Sequence, residues 1–382
     1  MLTISGLIRR ALALQKNLIR HAFGKQHDFR LYCGYLVYKL SAALRGPLHV
    51  SHGGSQPRTD KVCVFSVYQP NGIPETVYYL LNAIRGLGYS LFIVSNTRIR
   101  EPDLQRLTTI AWRVDERPNV GRDFGGYKHG VSTLLNEEGE TLRRLIVAND
   151  SVFGPLHPLE AIYEEMERRS SDYWGINENL EFGNHVASYF LVFKERVIQH
   201  EAFRTFWRRY AETSSRRHAI RKGEIGLNQA LRARGFRPGV YCSSASLIGA
   251  LSKVEDRELF RLLYTSSFHR TILELALGSI KPGSENAHLA LAKEQLIRYA
   301  TAQFERSSAS HTFAVIMNRF LGAPFLKRDV VMRNEIELGY LLSNIDVTTD
   351  FPEEDIEYEL RVKGTVTDLS LYRRILWSGG YI

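Results

Sequence analysis

The feature that most constrains the fold is an alternation of short apolar runs with amphipathic stretches between residues 61 and 148. Residues 62–67 read Val-Cys-Val-Phe-Ser-Val, a run typical of a buried strand, and residues 90–95 repeat the pattern. Residues 74–88, between them, carry apolar side chains at helical spacing. Strands separated by helices pair side by side in parallel, so the chain is predicted to be an α/β protein with a doubly wound, mostly parallel sheet.

Further elements follow the same order along the chain. We expect a third strand near residues 109–114, a helix over 127–136, a strand over 144–148 and a strand-like run over 188–193. The region from about residue 256 is helical by its apolar period, and an acidic stretch at 346–359 reads as a solvated face. In parallel sheets, ligands bind beyond the carboxyl ends of the strands, so the loops there are examined first.

A glycine-rich stretch precedes the fourth predicted strand and reads Asn119-Val-Gly-Arg-Asp-Phe-Gly-Gly-Tyr-Lys-His-Gly130. Glycine lets backbone amides approach an anion closely, and a helix that starts after such a turn adds a partial positive charge. The alternative is a tight strand-to-helix connection without a ligand.

A second polar group ends the strand over residues 144–148, where Asn149, Asp150 and Ser151 follow directly. Oxygen ligands at the tip of a parallel strand suit a hard divalent cation that carries phosphates. An Asx turn that merely ends the strand is the alternative. Because both groups fall on one predicted sheet, we favour a phosphate-bearing ligand.

The N-terminal segment is strongly basic. Residues 1–58 contain nine basic residues and one acid, a net charge of +8, whereas the remaining residues carry +1. Interleaved apolar side chains suit helices that lie in a membrane interface. A helical hairpin packed on the body and a nucleic-acid-binding arm are the alternatives, and we expect no nucleic-acid partner because no recognised module accompanies the arm.

These patterns divide the chain into three parts. We expect a basic, membrane-associating arm at 1–58, with a Gly/Ser/His-rich linker at its end, an α/β domain at 59–250 and a helical C-terminal region at 251–382. Three widely spaced cysteines give no disulfide framework and indicate a reducing, cytoplasmic setting. No apolar run is long enough for a transmembrane helix, and we expect no signal peptide.

Several motifs follow one another in a fixed order along the chain. They are the 119–127 stretch, Asn-Asp-Ser-x-Phe-Gly-Pro at 149–155, Trp174-Gly-Ile, His185, the 188–193 run, Glu224-Ile-Gly-Leu-Asn, Gly235-Phe and, more faintly, residues 324–329. This ordered set resembles the rhamnan synthesis protein F family of bacterial glycosyltransferases. The resemblance covers roughly residues 60–335. It implies a GT-A-like fold, a nucleotide-diphosphate sugar donor and often a rhamnosyl product.

The resemblance also implies roles for residues at the predicted strand ends. GT-A enzymes end the equivalent strand in Asp-x-Asp, whose carboxylates hold a metal, whereas this chain reads Ala148-Asn149-Asp150. Asp150 is therefore the expected metal ligand, and dependence on Mg²⁺ or Mn²⁺ is left open. The expected donor-binding residues are Tyr68, Ser95, Asn96, Asn119, Gly121, Arg122, Asp123, Gly125, Gly126, Lys128, Asn149 and Ser151.

Sugar transfer also needs a base that takes the proton of the acceptor hydroxyl. In related inverting enzymes this base is an acid at the start of a helix, and Glu224 precedes the predicted helix 227–234. The alternative is that Glu224 only favours the positive end of that helix. His185, Ser188 and Tyr189 are the expected acceptor-binding residues, although Tyr189 fits the core equally well.

The sequence thus indicates an inverting transferase on the inner face of the bacterial cytoplasmic membrane. We expect it to move a deoxyhexose from dTDP- or GDP-rhamnose to a growing lipid-linked surface polysaccharide. One alternative is the same fold with another hexose donor. The other is a catalytically weak glycan-binding or assembly protein, since the metal motif is reduced.

Overall fold

The computed structural model describes residues 4–46, 48–138, 141–180, 183–255, 293, 294, 297, 313–332, 338–348, 350–363, 368–378 and 381. The strands are β1 Val50–Gly53, β2 Lys61–Val67, β3 Ser90–Ser95, β4 Arg113–Glu116, β5 Arg144–Asn149, β6 Val152–Phe153, β7 Tyr173–Asn179, β8 His185–Val186, β9 Phe190–Lys194, β10 Pro238–Cys242 and β11 Leu326–Lys327. The helices are α1 Ile4–Arg45, α2 Glu75–Gly86, α3 Glu101–Ile110, α4 Arg122–Glu138, α5 Leu159–Arg168, α6 Glu195–Ile198, α7 Glu201–Arg209, α8 Arg216–His218, a π-helical turn Ala219–Glu224, α9 Ile225–Arg232, α10 Ser244–Lys253, α11 Ala314–Leu321, α12 Arg328–Met332, α13 Leu338–Asn344, α14 Glu354–Lys363 and α15 Leu371–Ser378.

The main sheet has the order β1-β4-β3-β2-β5-β9-β7-β10, with β8 paired to β7. β4, β3, β2 and β5 are parallel neighbours, and β10 is parallel to β7. β1 at the edge and β9 in the middle run the opposite way. The prediction of a doubly wound, mostly parallel sheet is confirmed.

Helices cover both faces of this sheet. One apolar cluster joins the strands to α2, α3 and α5, and a second joins them to α4, α7 and α9. All six central residues from Val62 to Val67 are buried, and so are all six of β3. Strands that are buried on both faces read as continuous apolar runs, which is why the sequence identified them.

The glycine-rich stretch is a loop only as far as Gly121, which corrects the prediction of a helix that starts at 127. α4 begins at Arg122 and includes the glycines at 125, 126 and 130. A Cβ on Gly126 would lie 2.3 Å from Ser66 Oγ, and one on Gly130 would lie 2.4 Å from Val64. The glycines therefore let the helix pack directly on β2.

The predicted linker is also part of the fold. β1 pairs with β4, and the backbone N–H of Gly54 donates to Trp112 O at 2.8 Å. The third predicted strand lies later than expected, since α3 extends to Ile110 and β4 starts at Arg113.

The basic N-terminal segment forms one 42-residue helix, so the helical-hairpin alternative is wrong. Its buried side presents Gly24 and Tyr35 to the body. Its opposite side exposes an apolar stripe, whose side chains range from 47% exposure at Leu36 to 77% at Leu44. We use "apolar stripe" for Phe29, Tyr32, Leu36, Val37, Leu40 and Leu44, which share one helix face.

No described helix has the length and apolar character that crossing a membrane requires.

The described part of the C-terminal region packs on the α/β body. Phe153 and Leu156 share one apolar cluster with residues of α10, α11 and α12, and β11 pairs with β6. The acidic stretch is not wholly solvated, which corrects that prediction: Glu359 is 4% exposed and forms an ion pair with the buried Arg328. Much of the expected helix between residues 256 and 312 lies outside the described residues.

Candidate active site

Asp150 lies just beyond the carboxyl end of β5 and is directed towards the end of β2. Its Oδ2 accepts hydrogen bonds from the Tyr68 backbone N–H at 3.2 Å and from Gln69 Nε2 at 2.7 Å. The side chain is largely buried, with 8% of the residue exposed. These contacts fix one carboxylate oxygen, Oδ2, against the end of β2.

The neighbouring Asn149 and Ser151 have a different role. Asn149 Oδ1 accepts both the Ser151 N–H at 3.0 Å and the Ser151 hydroxyl at 2.6 Å, which is the Asx turn considered from sequence. The Asx-turn interpretation therefore applies to Asn149, whereas Asp150 faces a neighbouring strand. Their predicted contacts with a donor stay predictions.

Asp123, in the first turn of α4, lies close to Asp150. Burial and, after it, the Asp150 carboxylate raise the pKa of Asp123 to about 6, against the opposing charges of Arg122 and Lys327. Two carboxyl groups that disfavour each other's charge are suited to share a divalent cation. The two carboxyl groups thus fit a divalent metal, which Asp150 and Asp123 would hold.

Lys327 brings a cation close to Asp123, and we use "cleft" for the space between Asp123, Asp150, Glu224 and Lys327. β11 pairs with β6 so that Lys327 stands opposite Val152, and the Arg328 N–H donates to Ser151 O at 2.9 Å. Lys327 Nζ lies 5.1 Å from the centre of the Tyr189 ring, and its charge lowers the pKa of both Asp123 and Glu224. Sequence reasoning missed this residue as a site residue; the only signal was the faint motif at 324–329.

Glu224 lies on the other side of this cleft and is held by β8 and β9. Its Oε1 accepts the Ser188 N–H at 2.6 Å, and its Oε2 lies 3.6 Å from His185 Nε2. Burial would raise the pKa of Glu224, but the His185 ring, Lys327 and the Ser188 N–H outweigh burial and lower it. The carboxyl group is therefore ionised near neutral pH.

The helical context of Glu224 differs from the prediction. Glu224 immediately precedes α9, as predicted, but α9 begins at Ile225 and Glu224 is also the last residue of a π-helical turn that continues from α8, whose start is capped by Ser215. A Cβ on Gly223 would lie 2.8 Å from the Phe124 ring, so glycine permits the close packing of this turn on α4. Single π-helical turns are frequent at functional sites. The helix-dipole alternative loses its basis, because no free helix end is present here.

A cavity of about 450 Å³ lies at the ends of β2, β3 and β4, and one of its lining residues, Tyr68, donates its backbone N–H to Asp150. Its lining includes three predicted donor-binding residues, Tyr68, Asn96 and Asn119. Asn96 is held by Arg117, whose Nη1 donates to Asn96 Oδ1 at 2.9 Å. Arg117 itself is 4% exposed and pairs with Glu212 at 2.9 Å. Arg117 was not singled out from the sequence, because an arginine beyond a strand end carries no pattern of its own.

The loop into α4 has unusual backbone angles. Gly121 and Arg122 have φ values of +86° and +55°, and Arg122 is the one residue other than glycine with positive φ among those described. Such conformations are sparsely populated and cluster at ligand sites. Arg122 is exposed, and its carbonyl accepts from Asn96 Nδ2 at 3.3 Å.

Other predicted donor contacts are less direct. Ser95 Oγ donates to Thr97 O at 2.7 Å within its own turn, and Lys128 Nζ donates to Tyr210 O at 2.6 Å. The Gly125 N–H already donates to Gly121 O, and Gly126 packs on β2. Local packing accounts for these four residues.

The predicted acceptor residues are divided between the cleft and the core. His185 and Ser188 both face Glu224. A hydrogen bond of 2.6 Å between His185 Nδ1 and Gly183 O holds the imidazole ring in place. Tyr189 is 3% exposed, and its hydroxyl donates to Asn177 Oδ1 at 2.6 Å. Tyr189 therefore belongs to the core, with its ring below Lys327.

A separate group of possible metal ligands joins β1, β4 and α4. The ligand atoms of His49, Asp115 and His129 lie within 4.8 Å of one another, the one such group found in the described part of the chain. Asp115 is already bonded to His129 at 2.6 Å and to Arg113 at 2.8 Å. The group therefore has an internal network that holds it without an ion.

Comparison with known proteins agrees with the resemblance seen in the motifs. Residues 91–253 match the family described as Rhamnan synthesis protein F, which confirms that resemblance over a shorter range than the motifs suggested. An uncharacterized protein of Sinorhizobium fredii, y4gN, is 29% identical over 210 residues, which are 54% of this chain and 55% of that protein. The chain thus spans about half the length of this curated relative.

Three solved structures show a weaker similarity to this chain. A protein of Desulfovibrio desulfuricans described as a nucleotide-diphospho-sugar transferase is 13% identical over 63% of this chain and 98% of its own, with a TM-score of 0.30. The mannosyltransferase Ktr4p of S. cerevisiae is 8% identical over 41% of this chain and 62% of its own, with a TM-score of 0.25. Core-mannan synthase A of Aspergillus fumigatus, in an Mn/GDP form, is 10% identical over 47% and 71%, with a TM-score of 0.26. We draw no conclusion from scores this low.

Proposed function

We propose that this chain, whose residues 91–253 match the rhamnan synthesis protein F family, is a glycosyltransferase that uses a nucleotide-diphosphate sugar. The observation that carries the proposal is the meeting of Asp123, Asp150, Glu224 and Lys327 in one cleft beside the 450 Å³ cavity. This cleft lies at the carboxyl edge of a parallel sheet, where nucleotide ligands of such folds bind. With the family match, it supports rhamnose as the first sugar to test.

The nucleoside fits the cavity. Tyr68 offers an exposed ring, and the amides of Asn96 and Asn119 offer donors and acceptors for a base and a ribose. Arg117 holds Asn96 in place, and Asn96 in turn binds the carbonyl of Arg122. The nucleoside and the diphosphate would therefore be oriented by one hydrogen-bonded group.

The diphosphate then lies between Asp150 and the cations of the cleft. Arg122 and Lys327 can bind its oxygens directly, since charge-assisted contacts to phosphate are strong. A divalent metal held by Asp150 and Asp123 would neutralise the leaving diphosphate further. In either case the positive charge stabilises the group that departs as the sugar is transferred.

Glu224 is the proposed base. Its lowered pKa keeps it ionised, and Ser188 and His185 hold its carboxylate at the mouth of the cleft. An ionised carboxylate can take the proton of an acceptor hydroxyl as the sugar is transferred, which gives inversion at the anomeric carbon. His185 and Ser188 orient this carboxylate rather than touch the donor.

The acceptor is proposed to be a glycan on a lipid carrier at the inner face of the cytoplasmic membrane. The apolar stripe of α1 supports this, because it faces away from the body and is flanked by Lys25, Arg30 and Lys39. Apolar side chains bordered by basic ones are typical of helices that lie in the interface of an anionic membrane.

Hydrolysis of dTDP-rhamnose and GDP-rhamnose by the full chain, with and without Mg²⁺ or Mn²⁺, tests the proposal. We expect release of the nucleoside diphosphate, and loss of release in Asp150→Ala. Asp60→Ala, at an exposed carboxyl group far along the chain from the cleft residues, is the control. If only other nucleotide-hexoses are turned over, the donor is one of those sugars and not rhamnose. Glycan binding without any donor turnover would indicate an assembly protein.

A further inference from the structure

A second cavity, of about 300 Å³, lies between α1 and the segment that leads into Glu224. Basic side chains dominate its wall, since Arg217, Arg221 and Lys222 face a single acid, Asp28. We infer that this cavity, here called the basic pocket, binds the phosphate group of an anionic lipid. The inference rests on the proposed membrane contact of α1.

Buried polar atoms in the basic pocket lack partners of their own. Thr213 is 4% exposed, and neither its hydroxyl nor His218 Nε2 makes a hydrogen bond to any described residue. Asp28 Oδ1 is likewise buried without a bond in this part of the chain. Buried hydroxyl and imidazole groups are normally satisfied, so two such atoms in one cavity indicate a missing polar ligand.

The charge of the pocket selects an anion. Three permanent cations exceed the one carboxylate, and arginine forks match phosphate oxygens in geometry. Burial lowers the pKa of His218, so the ring is neutral at pH 7 and can serve as a hydrogen-bond donor or acceptor. Hydroxyl donors from Thr213 and Ser215 complete a lining suited to a phosphate group.

The position of the pocket indicates that the phosphate belongs to a lipid. Tyr32 lines the pocket and is also part of the apolar stripe of α1. A phosphate held there would lie beside side chains that face outward into the proposed interface. The surface of an anionic membrane offers a phosphate and an apolar layer together, whereas a free phosphate ion offers only the first.

The pocket is also connected to the cleft. Arg221 and Lys222 belong to the same π-helical turn that ends at Glu224. A lipid phosphate bound at this turn would therefore anchor the protein close to its proposed base. This geometry suits an enzyme whose acceptor stays attached to the membrane.

Binding to vesicles of phosphatidylcholine with about one third phosphatidylglycerol, measured by co-sedimentation without donor, tests the inference. Each local cation near such a surface accounts for about a fivefold gain in binding, so Arg221→Ala/Lys222→Ala should weaken binding about 30-fold. The matched control is Arg85→Ala/Arg168→Ala, which removes the same charge from the α2 and α5 side of the sheet. This control should stay within about twofold of the wild type if attraction is local.

Thr213→Val separates a built site from general attraction, because it removes a hydroxyl and no charge. We expect about a fivefold loss of vesicle binding, the usual effect of one hydrogen bond. Soluble pyrophosphate is added as a competitor, because it offers phosphate groups without a lipid. Displacement of the protein from vesicles only at high pyrophosphate concentration supports the lipid.

Three results would overturn the inference. These are equal losses in the two double variants, unchanged binding by folded Thr213→Val, and tight pyrophosphate binding that is lost in Arg221→Ala/Lys222→Ala but leaves vesicle binding of the wild type unaffected. Circular dichroism on each variant shows that it is folded, and Thr213→Ser, which keeps the hydroxyl, should bind like the wild type. Because donor hydrolysis is not the readout, failure here leaves the proposed transferase activity standing.

Discussion

Glu224 Oε1 accepts the backbone N–H of Ser188 at 2.6 Å, which ties the end of the π-helical turn to the turn between β8 and β9. A side chain held by a backbone donor keeps its position when its second oxygen meets a substrate. The carboxylate is ionised and faces the cleft that also contains Asp123 and Lys327. The hydrogen bond from Ser188 thus holds the proposed base in a fixed position, although Glu224 lies on an irregular helical turn.

Glu224→Gln should separate chemistry from donor binding. Glutamine keeps the shape and the acceptor oxygen for Ser188, but it cannot take a proton. We expect transfer to fall by about 10²- to 10⁴-fold, the range for a positioned general base, with little change in donor affinity. Single-turnover transfer and calorimetric donor binding check this. An equal loss of binding and transfer would make Glu224 an organiser of the site, and a retained anomeric configuration would contradict its role as base.

Asp123→Asn should stabilise the fold while it impairs function. The pKa of Asp123 is raised to about 6 in the folded protein, from the ordinary value of 3.8. Above about pH 6 the fold therefore holds a charged carboxylate that it disfavours, which lowers the free energy of unfolding. This loss of stability disappears as the pH falls from about 6 to 3.8, because the carboxyl group then becomes protonated in the folded protein. At pH 7 we expect the variant to melt about 2 °C or more above the wild type. Near pH 4 the two proteins should melt at the same temperature. Thermal melts across this range test the sign, with Asp60→Asn as the exposed control. A lower melting temperature at pH 7 would contradict the account.

The same carboxyl group should shape the pH profile of donor turnover. If ionised Asp123 helps to hold the diphosphate through a metal, kcat/KM should fall below about pH 6. Asp150→Asn removes a neighbouring negative charge and so lowers the pKa of Asp123. The fall in the remaining kcat/KM of this variant should therefore begin at a lower pH. A profile that is flat from pH 5 to 8 would exclude Asp123 from the site.

Substitution within the apolar stripe should release the protein from membranes without unfolding it. Leu36 and Leu40 are 47% and 61% exposed, so Leu36→Asn/Leu40→Asn removes little packing within the protein. The affinity for vesicles should fall about 30-fold, because each of the two leucines contributes roughly 1 kcal/mol when buried in the interface. Leu371→Asn, 70% exposed on α15, is the control outside the stripe. Unchanged binding in the double variant would contradict the role of the stripe.

Glu359→Ala should destabilise the protein strongly. Glu359 and Arg328 are 4% and 6% exposed, and Glu359 also accepts the Thr76 hydroxyl at 3.2 Å. Loss of one partner leaves a buried charge, which costs about 3 to 5 kcal/mol in comparable cases. Denaturant unfolding measures this cost, and Glu354→Ala on the same helix serves as the control. A loss below about 1 kcal/mol would mean that Arg328 finds another partner.

The sequence predicted the sheet well, because strands buried on both faces leave continuous apolar runs such as residues 62–67. It predicted Asp150 and Glu224 through motifs. It did not predict that the glycines of 125–130 pack a helix against Ser66 and Val64, since a glycine-rich stretch reads equally as a loop. Lys327 could not be placed because β11 meets β6 across more than 170 residues, and no local pattern records that pairing.

Calorimetric titration of nucleoside diphosphates into the full chain tests the central claim most directly. We expect dTDP or GDP to bind one site in the wild type and in Glu224→Gln, and to bind at least tenfold more weakly in Lys327→Ala and Asn96→Ala, which lose a phosphate contact and a nucleoside contact. Lys327→Arg should retain most of the affinity. Absence of binding by dTDP, GDP and UDP alike, or equal binding by all variants, would contradict the placement of a nucleotide-sugar donor in this cleft.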